Sequence, residues 1–174
     1  DLLVTLPNGT RQFWLGHLGP VTENWTFNPV SFSTSLPNYP VKSPHSNSFV
    51  DLSGDGAADL FITSVDSNNE AVFEIWKGTE LELKLISNYS FSSLLLNHNI
   101  EVGQSVFADI NGDGLQEHIL PVCELQEKRC IHSMIFVYLD GDWIELFSGE
   151  DHLNFISSQT SFLNVPITPV LGDF

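Results

Sequence analysis

An acidic segment of the chain occurs twice at a fixed distance. The first copy reads SFVDLSGDGAADLFITS and the second reads SVFADINGDGLQEHILP. Aligning them pairs Asp51 with Asp109 and Asp59 with Glu117, and each pair is 58 residues apart (109 − 51 and 117 − 59). A recurrence of this length indicates a modular architecture built from repeated structural units.

Both ends of the chain resemble parts of the same repeat. The opening DLLVTLPNG is similar to DLFITSVDS after the first acidic segment, and the closing PVLGDF is similar to NSFVDL before it. We therefore predict a partial array with repeat units at approximately 1–50, 51–108 and 109–172, and a fourth unit that begins at Asp173.

Each unit contains short apolar or alternating runs separated by turn residues, a pattern typical of β-strands. In the second unit these runs are DLFITSV, AVFEIWKG, LELKLIS and QSVFADI, and long stretches with a helical period are absent. Repeated four-stranded antiparallel sheets are typical of propeller blades, because each sheet buries both faces against its neighbours. A two-sheet sandwich does not explain the recurrence. The sequence predicts an all-β segment, residues 1–174, of about three four-stranded β-propeller blades.

The acidic segments place oxygen ligands at positions 1, 3, 5 and 9 of two loops, which we name loop 1 (51–59) and loop 2 (109–117). These residues are Asp51, Ser53, Asp55 and Asp59 in loop 1, and Asp109, Asn111, Asp113 and Glu117 in loop 2. A glycine at position 6 allows a sharp turn, after which the carbonyl of Ala57 or Leu115 is free to face an ion. Hard oxygen donors in this number favour Ca²⁺ over Mg²⁺, which keeps several waters. We predict one Ca²⁺ site in each loop, with a looser site or a different denticity where Glu117 replaces the shorter Asp.

Two other interpretations of the loops are an acidic hairpin turn and an EF-hand. An acidic hairpin turn is the simpler one, since Asp-Gly is a common turn dipeptide, but two copies in register argue against it. An EF-hand needs a bidentate Glu at position 12, where the chain has Ile62 and Leu120. The EF-hand is therefore rejected.

The charge balance excludes some partners. Lys and Arg number 6 against 22 Asp and Glu, a formal net charge of −16, which repels nucleic acid and anionic lipid and suits a cation. No apolar run approaches the ~20 residues needed to cross a bilayer, and no basic segment followed by an apolar one opens the chain. We expect protein partners, no nucleic acid, and no membrane contact by this segment itself.

Sequons and cysteines indicate an oxidising compartment. Asn8, Asn24 and Asn88 each begin an Asn-x-Ser/Thr sequon. Cys123 and Cys130 lie between two strand-like runs, which suits a disulfide that closes a hairpin loop, although two reduced cysteines remain an alternative. We expect a secreted or cell-surface glycoprotein.

The loop motif Phe-x-Asp-x-Asn/Ser-Gly-Asp-Gly-x-x-Asp, followed by an apolar strand, resembles the FG-GAP repeat of integrin α-subunit propellers. This resemblance implies calcium bound between strands of a blade, by the ligands named above. Within this family the chain resembles a cell-surface branch most. The stretches that carry this resemblance are PHSNSFVDLSGDGAADLFIT, FEIWKG, VGQSVFADINGDGLQEHILPVCE and VPITPVLGDF. That branch implies a segment of the ectodomain of a single-pass membrane glycoprotein, a role in adhesion or immune modulation, and a cysteine pair matching Cys123 and Cys130.

No catalytic motif stands out in the sequence. The six histidines form no H-E-x-x-H pair, and GQSVF lacks the last glycine of a nucleophile elbow. His118, beside Glu117, is interpreted as a strand residue and not as a ligand. We predict a non-enzyme; the alternative is the non-catalytic propeller part of a secreted lyase or phospholipase whose active site lies elsewhere.

Overall fold

The computed structural model describes residues 2–5, 11–19, 25–33, 39–42, 47–78, 82–91, 99–127, 129–148 and 169, and every element in them is a β-strand. The strands are β1 Leu2–Thr5, β2 Arg11–Leu18, β3 Trp25–Ser33, β4 Asn47–Val50, β5 Asp59–Val65, β6 Ala71–Gly78, β7 Glu82–Phe91, β8 Ile100–Val102, β9 Val106–Ala108, β10 Glu117–Gln126, β11 Arg129–Leu139 and β12 Asp142–Ser148. The predicted all-β class is confirmed. Asn8, Asn24 and the unit predicted to begin at Asp173 lie outside the described residues.

The strands form three antiparallel sheets in chain order, as a row of propeller blades requires. Sheet 1 contains β1 to β3, sheet 2 contains β4 to β7, and sheet 3 contains β8 to β12. Within each sheet, strands that follow each other along the chain pair, because short connections join them. The exception is β8, which pairs with β10 and not with β9. The turn between β5 and β6 shows how: the Asp66 carboxylate accepts bonds from the amides of Asn68 and Glu70, and Asn69 adopts a φ of 65°.

One edge of sheet 3 is a single interrupted strand. Both β8 and β9 pair with β10, β9 opposite its first residues and β8 opposite its later ones. Between them the amide of Gly103 donates to the carbonyl of Pro121 at 2.8 Å, which continues the ladder. Sheet 3 therefore has four strand positions, as a blade does.

The sheets are offset from the sequence repeats by one strand. The predicted second unit, 51–108, contains β5, β6 and β7, but its last strand, β9, pairs with β10 of sheet 3. Sheet 2 instead takes its first strand, β4, from the preceding unit. The reason is that each acidic loop turns the chain back on itself, so the strands before and after a loop pair with each other.

The main core lies between sheets 2 and 3. Its buried members are Phe61, Ala71, Phe73, Ile75 and Phe91 of sheet 2 and Val102, Leu120, Val122, Met134 and Phe136 of sheet 3. A second core, between sheets 1 and 2, contains Phe13, Leu60, Ile62, Trp76 and Leu83. Sheet 2 thus buries both faces, because alternate side chains of β5 point to opposite sides.

Ion pairs and a short strand pairing also connect the sheets. The guanidinium of Arg11 donates to both carboxylate oxygens of Glu74, at 2.6 and 3.1 Å, and Glu74 is only 2% exposed. Lys42 pairs with Glu101 of β8. In addition, β3 and β7 pair in parallel over three residues, so sheets 1 and 2 share one hydrogen-bonded edge.

The two cysteines form a disulfide at the turn between β10 and β11. Their Cα atoms are 5.6 Å apart, within the range that a disulfide can bridge. Cys123 pairs in register with Ser133, and Cys130 pairs with Leu125, across a register shift between Glu124 and Leu125. The bridge that the spacing predicted is present.

Candidate metal centre

Each acidic loop connects the first and second strand positions of a sheet, loop 1 between β4 and β5 and loop 2 between β9 and β10. In loop 1 the Asp51 carboxylate accepts bonds from three backbone amides, those of Gly54, Asp55 and Gly56, at 2.7, 3.2 and 2.8 Å. A carboxylate that collects successive amides curls the backbone around itself. Asp51 therefore holds the loop closed through local bonds.

Loop 2 repeats this arrangement. The Asp109 carboxylate accepts from the amides of Gly112, Asp113 and Gly114 at 2.6, 3.2 and 2.8 Å. All four loop glycines have positive φ: 71° and 83° at Gly54 and Gly56, and 78° and 88° at Gly112 and Gly114. An L-residue rarely adopts this conformation, which explains the Gly-x-Gly pattern of both loops.

Position 9 closes each loop from the other side. The Asp59 carboxylate accepts from the amides of Leu52 and Ser53 at 3.1 and 2.8 Å. In loop 2 the Glu117 carboxylate accepts from the amide of Ile110, the counterpart of Leu52, at 2.8 Å. Both carboxylates are buried. The longer side chain at position 9 therefore performs the same local function as the shorter one.

The acids of loop 2 converge. Asp109, Asp113 and Glu117 each offer an oxygen, and these oxygens lie within 4.8 Å of one another; among the described residues no other group of three acidic, His or Cys side chains meets this distance. Three mutually repelling carboxylates so close together form a donor set of the kind that a divalent cation stabilises. The residues of loop 2 thus fit a calcium ion.

Loop 1 differs because a lysine reaches it. The ammonium of Lys77, on β6, forms an ion pair with the Asp55 carboxylate. This hydrogen bond from Lys77 holds the pKa of Asp55 below its usual value, and the same bond raises the pKa of Lys77. The negative charges of Asp59 and Asp51 also raise the pKa of Lys77.

The remaining predicted ligands take part in local bonds. At position 7 the amides of Ala57 and Leu115 donate to the position 5 carboxylates of Asp55 and Asp113, at 3.0 and 2.8 Å. At position 3, Asn111 accepts from the amide of Asp113 and donates to its carboxylate, and Ser53 donates to Asp55. Ligation of an ion by the carboxylates, the hydroxyl, the amide oxygen and the two carbonyls stays a prediction.

His118 is a strand residue of β10, as interpreted from the sequence, and it points away from the loop. Its ring is surrounded by aromatic side chains of both sheets: Phe61, Phe73, Tyr89, Phe107 and Trp143. Nδ1 lies 3.0 Å from the Tyr89 hydroxyl and Nε2 lies 2.6 Å from the Ser105 hydroxyl. Burial lowers the pKa of His118 to about 3, so the ring is neutral and serves packing.

Sequence reasoning missed Lys77 and the Arg11–Glu74 pair. The position of Lys77 could have been predicted from the hairpin register. A turn at 66–69 places Leu60 opposite Trp76, so the next residue, Lys77, lies beside position 9 of loop 1. Arg11 offers no such signal, since its partner lies 63 residues away in another sheet.

Of the three sequon asparagines, Asn88 lies among the residues that the structure describes. It lies in β7 with an exposed side chain, and Ser90, the third residue of its sequon, is exposed as well. Beyond the three residues that pair with β3, the outer edge of β7 has no strand partner among the described residues. A bulky group on Asn88 therefore meets no obstacle from any of the strands that the structure describes.

Comparison with known proteins shows similarity to one group of curated relatives. The chain is 35% identical to T-cell immunomodulatory protein of Mus musculus over 77% of its own length, and 34% identical to that of Homo sapiens over 87%. It is 33% identical over 71% of its length to a T-cell immunomodulatory protein homolog of Plasmodium yoelii yoelii. No family model and no solved structure matches the chain.

These alignments cover 23% and 25% of the mouse and human proteins, so the chain spans about a quarter of their length. Among the described residues we find no long apolar helix of the kind that crosses a membrane. Over this shared quarter, the chain is a homologue of the T-cell immunomodulatory proteins.

Proposed function

We propose that this chain is a calcium-binding, non-catalytic β-propeller segment of an extracellular glycoprotein that acts through protein binding. The observation that carries the proposal is loop 2, in which three carboxylates converge within 4.8 Å on a backbone already curled by Asp109. A pre-formed loop lowers the ordering cost of binding an ion, because the ligands need not be gathered first.

The role of the ion is structural. Position 9 of loop 2 is the first residue of β10, which forms the centre of sheet 3 and packs on sheet 2 through Leu120 and Val122. An ion held by Glu117 therefore joins the loop to a strand of the main core. Loss of the ion leaves three like charges in close contact, which destabilises this end of the sheet.

An extracellular setting is supported by two independent features. A disulfide joins Cys123 to Cys130, as is common in oxidising compartments and rare in the cytosol. The Asn88 side chain is exposed in a sequon. Mass spectrometry of the protein from a eukaryotic host tests this part, since an unmodified Asn88 would count against passage through a secretory pathway.

A role in immune modulation is supported by the relatives, which are named T-cell immunomodulatory proteins. A role in adhesion is proposed from the resemblance of the two loops to FG-GAP repeats. The proposal for this chain is contact with a protein partner at the cell surface or after secretion, with no catalytic step in the segment.

The calcium proposal is tested by thermal melts of the intact protein with calcium and with chelator. Calcium at a hundred times its dissociation constant should add about 2.7 kcal/mol per site to the free energy of unfolding. Asp113→Asn keeps an acceptor for the Leu115 amide but removes a charge from the loop 2 cluster, so it should lose most of that gain. Glu117→Asp should retain it.

The matched control is Asp142→Asn, which changes an exposed acid at the first residue of β12. It removes the same charge from sheet 3 without touching either loop, and its response to calcium should equal that of the unaltered protein. Identical melting midpoints with calcium and chelator would refute the calcium proposal.

A further inference from the structure

The two loops have the same backbone but different electrostatic surroundings. In loop 1 an ammonium group already contacts the position 5 carboxylate, through the pair of Lys77 with Asp55. In loop 2 the position 5 carboxylate of Asp113 accepts bonds from Leu115 and Asn111, and within the described part of the chain no ammonium or guanidinium group pairs with it. Loop 1 thus already pairs with a positively charged group of the protein itself.

The register of the hairpins explains this difference. Leu60, the residue after position 9 of loop 1, pairs with Trp76, and Lys77 follows. In sheet 3 the matching residue His118 pairs with Tyr138, and the residue that follows is Leu139. The same backbone position beside the loop therefore holds a cation in sheet 2 and an apolar side chain in sheet 3.

The distances between the acids also differ between the two loops. Asp109, Asp113 and Glu117 converge within 4.8 Å, whereas Asp51, Asp55 and Asp59 do not meet that distance. Repulsion among loop 1 carboxylates is relieved by Lys77, which is drawn toward Asp55 and interacts with the other two acids as well. A divalent ion entering loop 1 would meet a like charge and would compete with Lys77 for Asp55.

We propose that Lys77 is a specificity-determining residue that makes loop 1 the weaker calcium site, so that loop 2 fills first as free calcium rises. The inference rests on the proposed calcium function and deepens it, because it ranks the two sites. It also identifies the residue that sets the rank.

The test is hydrogen–deuterium exchange of the intact protein, measured by mass spectrometry at a series of free calcium concentrations. The amides of Gly54 and Gly56, and those of Gly112 and Gly114, are bonded inside their loops. Peptides covering 51–59 and 109–117 therefore report each loop separately. Loop 2 should become protected at a free calcium concentration lower by roughly tenfold or more, as expected when a like charge adjoins only one of two similar sites.

Two reciprocal variants identify the residue responsible. Lys77→Met should lower the calcium midpoint of loop 1 by roughly tenfold and leave loop 2 unchanged. Leu139→Lys should raise the midpoint of loop 2 and leave loop 1 unchanged. Arg129→Met, which removes an exposed cation at the end of β11 remote from loop 2, should change neither. Exchange in chelator, compared among variants, confirms that each one is folded.

The outcomes separate the inference from the function on which it rests. If both loops respond to calcium but Lys77→Met shifts neither midpoint, or if loop 1 fills first, the role of Lys77 is refuted while calcium binding stands. If neither loop responds at any calcium concentration, the calcium function fails and the ranking falls with it.

Discussion

At the scale of single residues, one side chain of loop 2 lies close to the backbone of loop 1. Leu115, at position 7 of loop 2, extends toward loop 1, and its Cδ2 would lie 2.5 Å from a Cβ added at Gly54. A Cβ added at Gly112, the same position of loop 2, meets no atom within 4 Å. The two glycines are thus equal in backbone conformation but different in what surrounds them.

Gly54→Ala and Gly112→Ala should therefore differ. Both place an L-residue at a positive φ, which lowers the free energy of unfolding by about 1–2 kcal/mol. Gly54→Ala should lower it further, by roughly 0.5 kcal/mol or more, because the Leu115 side chain must move away. Urea denaturation of both variants, alone and in a Leu115→Ala background, measures this extra part.

The Leu115→Ala background serves as the control. It removes the side chain that the new methyl group meets, so the difference between the two glycine variants should disappear there. Equal losses for both variants in the unaltered protein would show that Leu115 does not connect the loops.

At the level of elements, the strands of sheet 2 could be predicted closely and the pairing only in part. The runs DLFITSV and AVFEIWKG coincide with β5 and β6. The pattern works there because apolar and turn residues alternate clearly. In contrast β8, with three residues, has too few side chains to show a period, and it was not predicted.

The hydrogen bonds inside each loop depend on residue spacing, which can be read from the sequence. The local bonds of Asp51 and Asp109 follow from residues only three to five positions away. The pair of Lys77 with Asp55 spans 22 residues and depends on hairpin register, which a sequence fixes only when the turn is placed correctly. Contacts between sheets, such as Arg11 with Glu74, depend on how the sheets pack and have no local signal.

The β10–β11 hairpin allows a prediction about the disulfide. The bridge closes a short loop across the register shift at Glu124 and Leu125. Because a short loop gains little from closure, replacing both cysteines by alanine should lower the free energy of unfolding by about 2–3 kcal/mol without abolishing folding. Thermal melts of the double variant, compared with the unaltered protein under oxidising conditions, measure the loss.

Treating the unaltered protein with a reductant is the control for that experiment, since it breaks the bond without changing the side chains. It should reproduce most of the same loss. A double variant as stable as the oxidised protein would show that the hairpin is fixed by its strand pairing alone.

On the scale of the whole molecule, the buried pair of Arg11 and Glu74 holds sheet 1 against sheet 2. Glu74 also accepts bonds from the hydroxyl of Ser64 and from the indole of Trp76, and Arg11 donates to the carbonyl of Tyr39. Burying charge is costly unless every partner is present. This network therefore fixes how the two sheets fit together.

Arg11→Met should lower the free energy of unfolding by about 3 kcal/mol or more, because it leaves the Glu74 carboxylate buried without a counter-charge. The double variant Arg11→Met/Glu74→Gln should recover part of the loss, since the remaining amide is neutral and still bonds Trp76. Chemical denaturation of the intact protein measures both effects.

Lys84→Met provides the comparison, because Lys84 is exposed on β7. It should change the free energy of unfolding by about 0.5 kcal/mol or less. An Arg11→Met variant no less stable than Lys84→Met would mean that the two sheets are held together by their apolar core and the β3–β7 pairing.

The one-strand offset between sequence repeats and sheets bears on how a gene for such a chain can gain or lose units. Deleting 51–108 would join β4 directly to loop 2, and β4 would take the place of β9 beside β10. Val50 pairs with Asp59 and Ala108 pairs with Glu117, so each strand ends opposite position 9 of the loop that follows it. After the deletion, Val50 therefore lies before loop 2 in the same register as Ala108, which it replaces. Loss of this unit therefore leaves sheet 3 with a first strand beside β10.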